Sequence, residues 1–252
     1  MGVMSEPRTY RHWVRGKDLV SFNVSIIETD LYIRASTNLK RRATKLVLKY
    51  RHMLEGYIER YPLFLTSLQP VPTGEDAPQI VKAMSRAAET AGVGPMAAVA
   101  GAIAEFVGGE LLAFSPEVIV ENGGDIYLKS LRERVVGVYA GESPLTGRIG
   151  IVIKAEDTPL GICTSSGTVG HSLSYGKADA VVVIAKSAVL ADAAATAIGN
   201  LIARADDIPE GIEFAKGVVG LRGVLIVKEG NLGLWGEVKL CSVRDQRLHK
   251  HA

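Results

Sequence analysis

The chain has 252 residues, 47% hydrophobic and 22% charged, an ordinary globular balance that excludes a disordered or collagen-like polymer. Its 29 Lys and Arg stand against 27 Asp and Glu, a net charge of +2, too small a surplus to point to nucleic acid or an anionic membrane as partner. The two cysteines, Cys163 and Cys241, are far apart and lack a CxxC partner, which argues against a disulfide framework or a thiolate zinc site and fits a reducing compartment.

Met1 to Tyr10 lacks the apolar stretch of a secretory signal. Elsewhere apolar runs meet Gly or charge before the roughly 18 residues that a membrane span needs, so a soluble, cytoplasmic protein is expected. Val20, Phe22, Val24 and Ile26 alternate with polar residues at the period of a half-buried strand. After the turn Glu28-Thr29-Asp30, Leu31 to Ala35 is its expected hairpin partner. Asn38 can cap a helix with an apolar face of Leu39, Ala43, Leu46, Tyr50, Met53, Tyr57 and Tyr61, stopped by Pro62. The cations at 40, 41, 42, 45, 49 and 51 fall mostly on its solvated side. Residues 67 to 78, with three prolines and Gly74, predict a loop. Two helices follow, near 79–91 and 95–107, with Gly92 suited to C′ of the first and Pro95 to N1 of the second. The second is made of small residues all round, so it should be buried on several sides, with Glu105 reaching solvent.

From 117 the pattern turns to strands: 117–121, 125–128, 135–140, 149–154, 162–165 and 180–185. A long helix near 188–204 and a strand pair, 223–227 and 232–235, complete the order. The apolar-poor tail 244–252 is expected to fray. Strands come in blocks with helices between them, which predicts an α+β fold built on antiparallel sheet. The order also suggests two similar halves.

Three segments could carry chemistry. Glu121-Asn122-Gly123-Gly124-Asp125 lies between two strands, and paired glycines let backbone approach a ligand or simply make a tight turn. Thr164-Ser165-Ser166-Gly167-Thr168, followed by Gly170, His171 and Ser172, supplies hydroxyls and backbone N–H groups that suit a phosphate. It suits equally a polar loop bonding to itself. His171 is a candidate base. In the last helix Asp192 and Thr196 are four residues apart and share a face, an oxygen pair that a hard cation such as Mg²⁺ accepts alongside water and phosphate.

Taken together, the runs Glu121 to Ile126, Cys163 to Gly167 and Ala191 to Ala197 resemble the ApbE flavin transferases. Those carry an Asn-x-Gly-Gly-Asp turn, a Thr-Ser-Gly loop and an Asp-Ala-x-x-Thr-Ala helix in this order. Gly101-Ala102-Ile103-Ala104 is similar to their Gly-Ala-Ile-Ala segment. The resemblance covers roughly 90–200, and more closely the chain resembles an uncharacterised prokaryotic ApbE-like family. It implies a T-fold-type α+β architecture of antiparallel sheets and packed helices with internal duplication, in one domain over 1–243.

The resemblance also implies a site for FAD or a related nucleotide, formed by Asn122, Gly123, Gly124, Asp125, Thr164, Ser165, Ser166, Gly167 and Thr168. Mg²⁺ would be held by Asp192 and Thr196, with His171 as the catalytic group. The implied activity is Mg²⁺-dependent flavin or nucleotide transfer from a pyrophosphate to a protein acceptor, in a monomer or a homo-oligomer. Two departures stand against the pattern. Glu105 occupies the place of the family's Lys, and no His-Ile-x-Asp-Pro-x-Thr-Gly segment follows Ser166-Gly167. The alternative is a non-catalytic flavin- or nucleotide-binding protein of the same fold.

Overall fold

A computed structural model describes residues 18–167 and 176–243. In chain order it contains β1 (Val20–Ile26), β2 (Thr29–Ala35), α1 (Lys40–Arg60), α2 (Leu63–Thr66), α3 (Gln79–Ala91) and α4 (Val99–Leu111). Then come β3 (Val118–Asn122), β4 (Asp125–Lys129), β5 (Arg134–Gly137), β6 (Ile149–Ile153), β7 (Leu160–Ser165) and β8 (Ala180–Ala185). α5 (Ala188–Leu201), α6 (Ile208–Gly217), β9 (Leu221–Lys228), β10 (Asn231–Gly236) and β11 (Leu240–Ser242) close the chain. Eight strands form one sheet in the order β1-β2-β3-β4-β7-β8-β9-β10, every neighbouring pair antiparallel. β11, β6 and β5 form a second, smaller sheet. The expected α+β class with antiparallel sheet is what the chain adopts.

The large sheet is covered on both faces. β8 records this most directly: Val181, Val183 and Ala185 pack with the helices, while Ala180, Val182 and Ile184 pack against the small sheet. A strand buried on both sides reads as a continuous apolar run, and Ala-Val-Val-Val-Ile-Ala has that pattern. Each half of the sheet follows the same order, two strands, then helices, then two strands, with β4 and β7 joining the halves.

Several boundaries differ from the sequence reading for identifiable reasons. In α1 the buried stripe is Ala43, Val47, Tyr50, Leu54 and Tyr57. Met53 and Tyr61 are exposed, because the true face is centred on Val47 and Leu54. Asn38 does act at the start of α1, its side chain accepting the Lys40 N–H at 3.0 Å. Gly92 has φ +71° and ends α3 in a left-handed cap, as expected for C′. Pro95 opens a 3₁₀ turn over Pro95–Ala98, not the α-helix itself, so α4 starts four residues later than predicted. The long final helix stops at Leu201, and α6 and β11 were not foreseen. The expected tail, 244–252, lies outside the described residues. No single helix among the described residues is long and apolar enough to cross a membrane.

Arg134 ties the small sheet to the large one. Its guanidinium donates to both carboxylate oxygens of Asp18 at 2.8 Å, to Glu117 Oε2 at 2.9 Å and to Ser130 Oγ at 2.8 Å. Its side chain is only 4% exposed. Burial alone would raise the Glu117 carboxyl. Hydrogen bonds from Ser130, the Leu131 N–H and Arg134 outweigh it, and the group ends below its ordinary value.

Candidate functional site

The site is built where the β3–β4 turn and the end of β7 meet α4 and α5. Alternation along β4 puts Asp125 on the same face as Tyr127, toward the helices, and Asn122 lies opposite Asp125 across the hairpin. Gly123 and Gly124 have φ +67° and +113°, values a side chain resists, so this two-residue turn needs glycine at both places. A Cβ on Gly124 would lie 3.8 Å from the Thr164 carbonyl, which brings the Gly-Gly turn against the hydroxyl-rich segment. Along β7, Cys163 faces the helices and Thr164 the other side.

Asp125 accepts the Thr164 N–H at 3.3 Å and a hydrogen bond from the Cys163 thiol. Burial pushes its carboxyl up to about 7; these two bonds oppose the shift and the charge of Glu121 adds to it. Asp192, on α5, is buried as well. Desolvation and then the nearby charge of Asp125 raise its carboxyl well above the ordinary value. Cys163 lies close to both acids, and burial together with their charges pushes its thiol up. Its Sγ is also 3.3 Å from the Ala188 carbonyl, an alternative acceptor for the one thiol hydrogen. A thiol so buried and so far from ionising is no nucleophile.

The partner of Asp192 is backbone. Asp192 Oδ2 accepts the Gly101 N–H at 2.8 Å, and the Ala100 N–H also bonds the carboxylate. These are N–H groups of the first turn of α4, which intrahelical bonding leaves unused. The approach depends on Gly101. A Cβ there would fall 2.2 Å from the Ala188 carbonyl oxygen and 2.8 Å from Asp192 Cβ. Asn122 reaches the same turn from the sheet, its Nδ2 donating to the Ala100 carbonyl at 3.1 Å. One residue of α4 thus links the Gly-Gly turn to the buried acid.

Glu105 corrects an expectation. It is half-buried, and its Oε2 accepts from Ser187 Oγ at 2.8 Å and the Val189 N–H at 3.1 Å. It is engaged with the start of α5 and does not reach into solvent. The Asn of the expected turn pattern is also displaced. Counted back four places from Asp125, that position holds Glu121, whose Oε1 accepts the Gly124 N–H at 3.1 Å.

The hydroxyl segment runs away from the two acids. Gly167 N–H bonds the Ala178 carbonyl at 3.0 Å, and a Cβ on Gly176 would meet the Gly199 carbonyl at 1.7 Å. Ser166 and Gly167 therefore approach the last turn of α5, about 10 Å along its axis from Asp192 at 1.5 Å per residue. Thr196, half-buried, lies one turn from Asp192 toward that end. The structure thus brings Asp125 to Asp192 and ties Asn122 to the same first turn of α4. Gly124 and the Thr164 backbone join the Asp125 hairpin, while the Thr164 side chain lies on the far side of the sheet. Ser165 alternates back to the helix side, and Ser166 and Gly167 lie farther along α5. Thr168 and His171 lie outside the described residues. Among the described residues no three His, Cys, Asp or Glu side chains group to hold a metal. Nor does any Lys or Arg among them pair with Asp125 or Asp192. The donors at hand are one carboxylate, a second acid beside it and a hydroxyl. That set suits an ion that completes its shell with water and phosphate oxygens.

The contributions that sequence reasoning missed are the Gly101 N–H and Glu105. Gly101, central to the helix expected over 95–107, was the available signal, since glycine weakens a helix unless something must approach closely there.

A family model described as "AbpE bacteria" matches residues 11–210. A UPF0280 protein of Methanopyrus kandleri is 46% identical over 238 residues, 91% of this chain and 96% of that protein. Another, of Methanococcus aeolicus, is 42% identical over 238 residues, 92% and 96% of the two chains. Among solved structures, the apo form of the flavinyl transferase ApbE of Pseudomonas stutzeri superposes over 90% of this chain and 94% of its own, with a TM-score of 0.58 and 13% identity. The ApbE protein of Thermotoga maritima covers 87% and 97%, with a TM-score of 0.54 and 16% identity. At such identities the likeness is one of fold.

Proposed function

The chain belongs to the family described as AbpE bacteria, and on that premise we propose that it is a Mg²⁺-dependent flavin or nucleotide transferase acting on FAD or a related pyrophosphate. The observation that supports this reading best is the Asp192 carboxylate. It is buried, held by the Gly101 N–H, close to a second acid and one turn from Thr196. Two buried acids with no Lys or Arg pairing them among the described residues are unfavourable, and a divalent ion relieves that repulsion.

Asp192 and Thr196 would hold the ion, which when bound supplies charge neutralisation on the phosphoryl group being transferred. The chain's own residues do the rest. The Gly-Gly turn lets backbone approach the pyrophosphate without a side chain in the way, and Asn122 keeps that turn against α4. The hydroxyls of Ser165, Ser166 and Thr168 orient phosphate oxygens, and His171 takes the proton from an acceptor hydroxyl on a partner protein.

In this reading Mg²⁺ with FAD raises the melting temperature of the wild type, and AMP is released when a Thr-bearing acceptor is added. Ligand at about 100 times its Kd stabilises by roughly 2.7 kcal/mol. Asp192→Asn should lose the Mg²⁺-dependent part of that gain. Equal melting shifts in wild type and variant would refute the metal assignment. The lack of a His-Ile-x-Asp-Pro segment supports a second reading, a binding protein of the same fold. FAD binding without any AMP release would select it.

A further inference from the structure

α4 and α5 cap each other. Asp192 of α5 satisfies the free N–H groups of Ala100 and Gly101 at the start of α4. Glu105 of α4 does the same for α5, taking the Val189 N–H and the hydroxyl of Ser187, the residue that itself caps α5 through the Leu190 N–H. Helix N-termini carry partial positive charge and favour carboxylates, so each helix supplies the acid that the other needs. The two contacts flank the point where Gly101 lets α4 touch the Ala188 carbonyl. Ala188 and Val189 are the first two residues of α5, and Asp192 follows one turn later. Whatever fixes the start of α5 therefore fixes the direction of the Asp192 side chain.

We infer that Glu105 is a positioning residue for the divalent-cation site, holding the first turn of α5 so that Asp192 presents its carboxylate in one orientation. This rests on the function proposed above, because it takes Asp192 as the ion's ligand. Glu105 itself spends its Oε2 on α5 and is not assigned as a ligand of the ion. The acceptor oxygen is what the role requires: a Lys at 105 could accept neither hydrogen bond and would set a cation against the positive end of α5.

The test uses the full-length protein with Mn²⁺ as the probe, its affinity read by electron paramagnetic resonance without nucleotide and with FAD. Residues that orient a metal ligand typically cost 10–100-fold in metal affinity when removed. Glu105→Ala, measured well below its melting temperature, is expected to bind Mn²⁺ about 10–100-fold more weakly. Glu105→Gln keeps an acceptor oxygen and should recover most of that loss. A merely structural role would lower the melting temperature of Glu105→Ala and leave Mn²⁺ affinity alone, and that result overturns the inference. Should Glu105→Ala not fold, Ser187→Ala removes the shared hydroxyl only, and unchanged Mn²⁺ affinity there overturns it equally. A wild type that binds no Mn²⁺ in either condition overturns both this inference and the metal assignment. Normal binding by wild type and Glu105→Ala alike overturns this inference alone.

Discussion

Arg134→Ala is expected to lower folding stability by about 3–5 kcal/mol, the range for breaking a buried ion pair from one side. The variant strands Glu117, which is 8% exposed, with only Ser130 and the Leu131 N–H to hold its charge. It also releases the contact between β5 and the residues leading into β1. Arg222→Ala is the comparison. Arg222 too pairs with two acids, Asp157 and Glu237, but these are 35% and 64% exposed, so about 0–1 kcal/mol is expected. Urea unfolding of both variants checks the contrast, and similar losses would contradict it. The pH dependence has a definite sign. Arg134 holds the Asp18 carboxyl down to about 2, below its unfolded value near 4. The group therefore adds stability above pH about 4, and that contribution is lost as pH falls toward 2. Arg134→Ala should flatten this part of the acid unfolding curve.

Two Gly to Ala changes on the same helix are expected to have opposite signs. At Gly101 the new Cβ falls 2.2 Å from a backbone carbonyl oxygen. Backbone cannot swing aside as a side chain can, so α4 and α5 must part. Overpacking of this kind typically costs about 1–3 kcal/mol, and occasionally more. Asp192 Cβ, 2.8 Å from the same point, would be displaced with them, so Mn²⁺ affinity should fall together with stability. At Gly109 nothing lies within 4 Å of the built Cβ, and Gly109→Ala should stabilise by about 0.5–1 kcal/mol through helix propensity alone. Thermal and urea unfolding of the pair, with Mn²⁺ binding for each, checks this. A neutral or stabilising Gly101→Ala would mean that the helices are not packed through that residue.

Much of the fold could be read from local pattern because its signals are local. The alternation in β1, the unbroken apolar run of β8, Gly92 after α3 and the paired glycines after β3 each report backbone geometry in the residues themselves. α1 was misread by part of a turn because Leu46, Met53 and Tyr61 are apolar yet half or fully exposed, and apolar residues often remain at the surface. The three segments at the site were legible as polar or glycine-rich runs, but their assembly was not. Asp192 meets Gly101 across 91 positions, and Glu105 meets Val189 across 84. Contacts at that separation leave no periodicity. Glu105 in particular looked solvated because the group it serves is backbone, and backbone N–H groups are invisible in a sequence.

The two halves of the large sheet also differ in how much chain they close. Ala35 of β2 pairs with Val118 of β3, whereas Ala185 of β8 pairs with Leu221 of β9, so the first excursion is more than twice as long. For a flexible chain each doubling of loop length adds only about 0.6 kcal/mol of closure entropy. The ordering cost of α1 to α3 is instead met locally, by the apolar stripe of Val47, Tyr50, Leu54, Ile80 and Met84 that they bury. Chain length between β2 and β3 is therefore a weakly constrained quantity in this architecture. The segment from Gln69 to Asp76, which is in no helix or strand, is where the polypeptide can lengthen with the least effect on the sheet.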